Sequence, residues 1–153
     1  MRATSAVTPV NFAAVPTASP PATDAFGEVR PTVLIADDDP VMLQIVNAAL
    51  LKAGFRVAAV TDGASALRKI QAGEECALLV TDLHMPEMEG DELVRKLRSD
   101  PRTAALPIVV LTGSEDASRE SELIDAGADD YLRKPVDPAR LVSRVKAVLR
   151  RVS

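Results

Sequence analysis

The chain has 153 residues, 47% hydrophobic and 3% aromatic, and a net charge of −4. That is one domain's worth of chain with enough apolar material for a proper core, and its acidity argues against direct nucleic-acid binding. The lone Cys76 excludes an internal disulfide or a cysteine cluster for zinc. No apolar stretch reaches the roughly 18 residues of a membrane span, and the N-terminus lacks a signal-peptide pattern, so membrane insertion is not expected and a cytoplasmic setting is.

Residues 1–30 are rich in Ala, Thr, Ser and Pro, with prolines at 9, 16, 20 and 21 and no periodicity. They read as a disordered N-terminal extension, leaving residues 31–153 as the folded domain. From Pro31 onward strand and helix patterns alternate. Thr32 to Ala36 reads as a strand that ends in Asp37, Asp38 and Asp39, with Asp39 and Pro40 as N-cap and first residue of a helix. That helix carries Val41, Met42, Ile45, Val46, Ala49 and Leu50 at helical spacing and stops near Gly54. Phe55 to Val60 is a second strand, and Asp62 caps a short helix bearing Ala66, Leu67 and Ile70.

Cys76 to Thr81 is a continuous apolar run that suits a strand covered on both faces, with Asp82 immediately after it. Cys76 falls within this strand as a small core hydrophobe. Gly90 leads into a helix striped by Leu93, Val94 and Leu97 and ended by Asp100-Pro101. Ile108 to Leu111 is a fourth strand, terminating at Thr112, Gly113 and Ser114. The spacing predicts a helix over 115–126, but its apolar side is thin, with only Ala117, Leu123, Ile124 and Ala126. A helix so weakly anchored is cheap to move. Tyr131-Leu132 is a short fifth strand ending at Lys134-Pro135, and Asp137-Pro138 caps a last helix with Leu141, Val142, Val145, Val148 and Leu149 on one face. Five strand-helix repeats imply an α/β fold: a doubly wound parallel sheet with all strand ends on one edge.

That edge is where ligands bind in open α/β sheets. It would gather Asp37, Asp38, Asp82, Thr112 and Lys134. Three converging acids repel one another unless a cation joins them or a proton is kept. Mg²⁺ answers the first need, since it takes hard oxygen ligands and is commonly held by carboxylates and phosphate oxygens. Lys134 and Thr112 suit a tetrahedral phosphoryl group, and a carboxylate among them can act as a nucleophile and carry an aspartyl-phosphate. Each residue alone has a plainer reading: a helix or turn cap for the acids, filler for the threonine, a solvated lysine. The plain readings explain their joint placement at successive strand ends poorly.

The ordered set IADDDP, TDLHMPEMEG, VVLTGS and YLRKP resembles the receiver domain of response regulators, of the chemotaxis-regulator type used in two-component signalling, over residues 31–153. The resemblance implies a flavodoxin-like (βα)5 fold with strand order 2-1-3-4-5. It implies Asp82 as phosphoacceptor, Mg²⁺ held by Asp38, Asp37 and Asp82 with the backbone carbonyl of His84, Thr112 hydrogen-bonding the phosphoryl group and Lys134 pairing with it. Tyr131 would be an aromatic switch residue, and the Lys134-Pro135 peptide would be cis. His84, the only histidine, and Ser114 would set the phosphoryl lifetime.

The partners implied are a sensor histidine kinase or histidine phosphotransfer protein and a downstream protein target. The target would read the face made by the 115–126 helix, the Tyr131 strand and the last helix. Arg140, Arg144 and Arg151 there could meet an acidic partner or form a solvated face, and whether phosphorylation causes homodimerisation stays open. Such a domain is a signalling phosphoacceptor rather than an enzyme, catalysing only its own phosphotransfer and slow autodephosphorylation. The chain stops at Ser153, so it reads either as a stand-alone receiver or as a receiver fragment of a longer regulator. A remote alternative is a haloacid-dehalogenase-like phosphatase using Asp37-x-Asp39, which would leave Asp82 without a role.

Overall fold

The structure, a computed structural model, describes residues 22–23 and 29–152. Five strands, β1 (Thr32–Ala36), β2 (Arg56–Val60), β3 (Leu78–Asp82), β4 (Ile108–Thr112) and β5 (Asp130–Arg133), pair in parallel in the order β2-β1-β3-β4-β5. The helices are α1 (Pro40–Lys52), α2 (Gly63–Gln71), α3 (Gly90–Ser99), α4 (Glu120–Ala126) and α5 (Pro138–Val152). This is the flavodoxin-like, doubly wound arrangement with the expected order 2-1-3-4-5.

Alternate residues of the buried strands serve two apolar layers, as the two-residue side-chain period of a strand requires. Val33, Ile35, Leu78, Val80, Val109 and Leu111 join Met42, Val46 and Leu50 of α1 and Leu141, Val145 and Val148 of α5. Leu34, Ala36, Leu79, Ile108 and Val110 join Ala66 and Ile70 of α2, Leu93, Val94 and Leu97 of α3, and Leu123 of α4. Strands β1, β3 and β4 are buried along their whole length, which explains their unbroken apolar runs. Edge strand β2 instead leaves Arg56 and Ala59 exposed.

The helix starts form as their residues dictate. Asp39 accepts the Val41 N–H at 2.9 Å ahead of Pro40, and Asp62 accepts the Ser65 N–H at 2.7 Å. After α1 the chain turns at Gly54, whose φ of +97° suits glycine. Helix α3 ends where Asp100 turns extended before Pro101.

The sequence expectations need adjusting in three places. Strand β3 begins at Leu78 and closes on Asp82, because the ladder with β1 starts at the Val33–Leu78 pair. Cys76 therefore precedes the strand, yet it is buried, and burial pushes its thiol pKa up to about 11, as befits an inert core residue. The second is the segment expected as one helix over 115–126. It divides into a 3₁₀ helix, Ser114–Arg119, and the short α4; of its four apolar side chains only Leu123 is buried, and Ala117 and Ile124 are exposed. Asp116 and Glu120 are buried instead, so polar ties rather than an apolar stripe set its course.

The third lies in the N-terminal stretch. Ala22–Thr23 pairs antiparallel with Val29–Arg30, and the Arg30 guanidinium donates to the Gly54 carbonyl at 3.3 Å, a feature that the aperiodic composition does not announce. The rest of the expected extension, 1–21 and 24–28, lies outside the described residues. Among the described residues no helix is long and apolar enough to cross a membrane.

Candidate functional site

Register decides which side chains meet. Ala36 pairs with Thr81, Asp82 with Leu111 and Thr112 with Arg133, so Asp37, Asp82, Thr112 and Lys134 finish at one edge of the sheet. Carboxylate oxygens of Asp37, Asp38 and Asp82 lie within 4.8 Å of one another. Asp37 is wholly buried and Asp82 is 8% exposed, whereas Asp38 faces solvent. Lys134 Nζ lies 3.1 Å from Asp82 Oδ2 and 3.3 Å from Asp37 Oδ2. Asp82 Oδ1 accepts the Leu83 N–H at 2.8 Å and Asp37 Oδ1 the Asp39 N–H at 2.9 Å. The sheet edge thus assembles the acid group and its lysine as expected.

Electrostatics show a site short of positive charge. Burial, helped by the neighbouring Asp82 charge, lifts the Asp37 carboxyl above its usual range in spite of the Asp39 N–H and Lys134. For Lys134, burial is the largest single influence and acts downward; its interaction with Asp82 and then the Asp37 charge outweigh it and raise the ammonium. Asp37 Oδ2 is buried with no hydrogen-bond partner, its contact with Lys134 being an ion pair without hydrogen-bond geometry. A buried carboxylate oxygen without a donor beside two further carboxylates is the donor set of a hard divalent cation.

The loop after β3 is built to hold Asp82 still. Gly90 N donates to the Leu83 carbonyl at 2.7 Å, and a Cβ on Gly90 would collide with the Asp82 carbonyl oxygen. Only glycine lets α3 begin so close to that backbone. Glu87, in the same loop, has a φ of 71°, in the left-handed region that side chains other than glycine rarely occupy.

Thr112 is buried at the expected strand end, and its hydroxyl has its hydrogen-bond contacts with Glu120 and the Leu132 carbonyl. It lies 3.4 Å from Glu120 Oε2 and 3.5 Å from the Leu132 carbonyl, both long contacts. Lys134 N donates to the Thr112 carbonyl at 2.7 Å, and the Lys134-Pro135 peptide is cis as expected. Tyr131 is half-buried in a groove of about 440 Å³ with Arg133, Val136, Arg140 and Arg144 on its walls. Arg144 donates to Asp130 at 2.6 Å within the domain; Arg140 and Arg151 are exposed. Asp39, the second acid of the phosphatase-like alternative, spends its carboxylate capping α1.

Three polar residues that pattern reading passed over complete the surroundings. Glu120 receives a two-pronged bond from Arg133, at 2.8 and 3.0 Å, beside the Thr112 hydroxyl. Asp116 accepts from Gly113 N at 3.1 Å and from His84 Nε2 at 2.9 Å. The hydrogen bond it donates to Asp116 is the main reason the His84 imidazole pKa stands above its ordinary value. His84, Glu115 and Asp116 also bring ligand atoms within 4.8 Å, but the Asp116 carboxylate is already taken by the imidazole and the Gly113 N–H. The signal for these residues was acids four apart, at 116 and 120, where the apolar stripe of a helix should have been. Ser114 is exposed at the start of the 3₁₀ helix.

A family model described as the response regulator receiver domain matches residues 33–146. The chain is 39% identical over 120 residues to the transcriptional regulatory protein GltR of Pseudomonas aeruginosa, covering 78% of this chain and 49% of that protein. It is 36% identical over 118 residues to the two-component response regulator ORR5 of Oryza sativa, 75% of this chain and 88% of that one. The chain thus spans about half the length of GltR and most of ORR5. Among solved structures, the chemotaxis response regulator CheY4 of Vibrio cholerae superposes with a TM-score of 0.71 at 30% identity, covering 78% of this chain and 99% of that one. The Francisella response regulator 1452 receiver domain gives a TM-score of 0.74 at 29% identity, over 81% and 100%.

Proposed function

The chain belongs to the response-regulator receiver family of two-component signalling, and from that premise we propose that it is a phosphoacceptor whose Asp82 is reversibly phosphorylated. The observation that carries this reading is Asp82 Oδ2 at 3.1 Å from Lys134 Nζ, within a group of acids whose buried Asp37 lacks a donor on one oxygen. The donor would be a phosphohistidine of a sensor kinase or phosphotransfer protein. In the transfer, an Asp82 carboxylate oxygen attacks phosphorus, the P–N bond breaks, and the imidazole keeps the electron pair and takes up a proton.

Asp37, Asp38, Asp82 and the His84 backbone carbonyl are the residues that would hold Mg²⁺. When bound, the ion supplies positive charge against the acids and the incoming phosphoryl oxygens. Lys134, 3.1 Å from Asp82 Oδ2, contributes its own charge and orients the group that arrives there. The domain acts on no substrate beyond itself: it catalyses its own phosphotransfer and a slow autodephosphorylation. In the latter, water attacks phosphorus, the P–O bond to Asp82 breaks, and the carboxylate and inorganic phosphate are released.

The output is a shift between two packings biased by the new charge. Thr112, loosely engaged with Glu120, is drawn toward the phosphoryl group, and Tyr131 follows inward from its half-buried place in the groove. The face of α4, β5 and α5 changes with them, and a protein target or a second copy of the chain reads that change. Intact mass after incubation with Mg²⁺ and acetyl phosphate tests the reading. A single alkali-labile adduct is expected on the wild type and none on Asp82→Asn. An adduct on both proteins would mean another nucleophile, and no adduct on folded wild type would overturn the proposal.

A further inference from the structure

Resting on the phosphoacceptor reading above, we propose that Asp116 is a positioning residue for the lifetime of the phosphoryl group: it holds the His84 imidazole as a shield between the acceptor and water. His84 sits in the loop that follows β3, two residues past Asp82, and Asp116 sits in the 3₁₀ helix that follows β4. His84 Nε2 donates to Asp116 Oδ1 at 2.9 Å and approaches Oδ2 at 3.1 Å, so the loops that follow β3 and β4 are tied to each other. The imidazole is about half exposed, with 47% of its side-chain surface open, whereas the Asp116 side chain is 5% exposed. The anchor is thus buried and the part it anchors is at the surface.

Two features of the tie favour a shield over a water-activating base. Both imidazole nitrogens face acids, Nε2 toward Asp116 and Nδ1 toward Glu89 at 3.6 Å. Nε2, bonded to Asp116, is not left to orient a water in line with the phosphorus–oxygen bond. The same Asp116 carboxylate also accepts the Gly113 N–H at 3.1 Å, directly after Thr112. A shift of Thr112 therefore moves the residue bonded to Asp116, and through it the imidazole. Cover and switch are mechanically joined, so that the group which signals phosphorylation also sets how long it lasts.

The experiment follows decay of the phosphoryl adduct by intact mass after loading the full chain with acetyl phosphate and removing the donor. It compares wild type, His84→Ala, Asp116→Ala, Asp116→Asn and the His84→Ala/Asp116→Ala double variant, with circular dichroism to verify folding. Asp116→Asn keeps the side-chain volume and an acceptor for Gly113 N–H, and carries the test if Asp116→Ala misfolds. Expected are severalfold faster decay for His84→Ala and for both Asp116 variants, and no further acceleration from an Asp116 substitution in the His84→Ala background. A purely structural Asp116 would keep its full effect in that background, which would overturn the inference, as would wild-type or slower decay in the Asp116 variants. No adduct on the wild type would instead overturn the phosphoacceptor reading, and this inference with it.

Discussion

Helix α3 and the 114–126 segment lie side by side on one face of the sheet and are held there by different forces. Helix α3 buries Leu93, Val94 and Leu97 completely. The 114–126 segment buries one large apolar side chain, Leu123, and is otherwise tied by ion pairs: Asp116 to His84, Arg119 to Asp91 at 2.9 Å, and Glu120 to Arg133 at 2.8 Å. Apolar burial has no alternative partner to exchange for, so shifting α3 would expose its whole stripe. An ion pair whose basic partner is exposed, as His84 and Arg133 are, can trade that partner for another or for water without exposing apolar surface. The molecule thus sets a fixed wall beside a movable one, with Thr112 at the root of the movable one.

The largest expected difference comes from cutting one leucine on each side. Leu97→Ala should lower global stability by about 2–5 kcal/mol. Leu123→Ala should lower it less, because the 114–126 segment opens locally before the rest unfolds. Denaturant unfolding of both variants, with amide hydrogen exchange, would decide this; equal global losses would mean that both segments belong to one cooperative unit.

Next comes Gly90→Ala, which drives a methyl group into the Asp82 carbonyl where α3 begins. A loss of about 1–3 kcal/mol is expected from the forced backbone shift, together with slower labelling by acetyl phosphate, since the acceptor's own peptide is displaced. Wild-type labelling in that variant would show that the fixed wall does not position Asp82.

Smaller still is Arg119→Ala, expected to cost about 1 kcal/mol or less of global stability. Its signature should be local: faster amide exchange over 114–126 with α3 unchanged. Uniform exchange through both segments would erase the distinction between them.

The subtlest effect is on pH. Burial is the largest single influence on Asp91 and acts upward, but hydrogen bonding from Arg95, the Glu92 N–H and the Arg119 charge outweigh it and hold the carboxyl below its ordinary 3.8. The ionised form is therefore favoured by folding. Its contribution is present above 3.8 and lost as pH falls through the lower folded value. The Arg133 hydrogen bond likewise holds the Glu120 carboxyl, within 114–126, below its ordinary 4.5. Acid thus removes ties from that segment while the apolar stripe of α3 is unaffected. The exchange profile of the two across a pH series should show 114–126 loosening first.

Patterns along the chain specify the repeat of strands and helices, the caps at Asp39 and Asp62, and the residues gathered at the sheet edge. Those follow from local rules: apolar period, capping chemistry and the chirality of parallel crossovers. Tertiary structure alone decided where β3 begins, since its first residue is set by the partner strand rather than by its own apolar run. It also decided that 114–126 breaks into a 3₁₀ helix and a short α-helix, and that the Thr112 hydroxyl lies near Glu120. Asp116, Glu120 and Arg133 look like ordinary surface charges along the chain. What they do depends on partners from 13 to 32 residues away, and polar pairing over such separations leaves no periodic trace in a sequence.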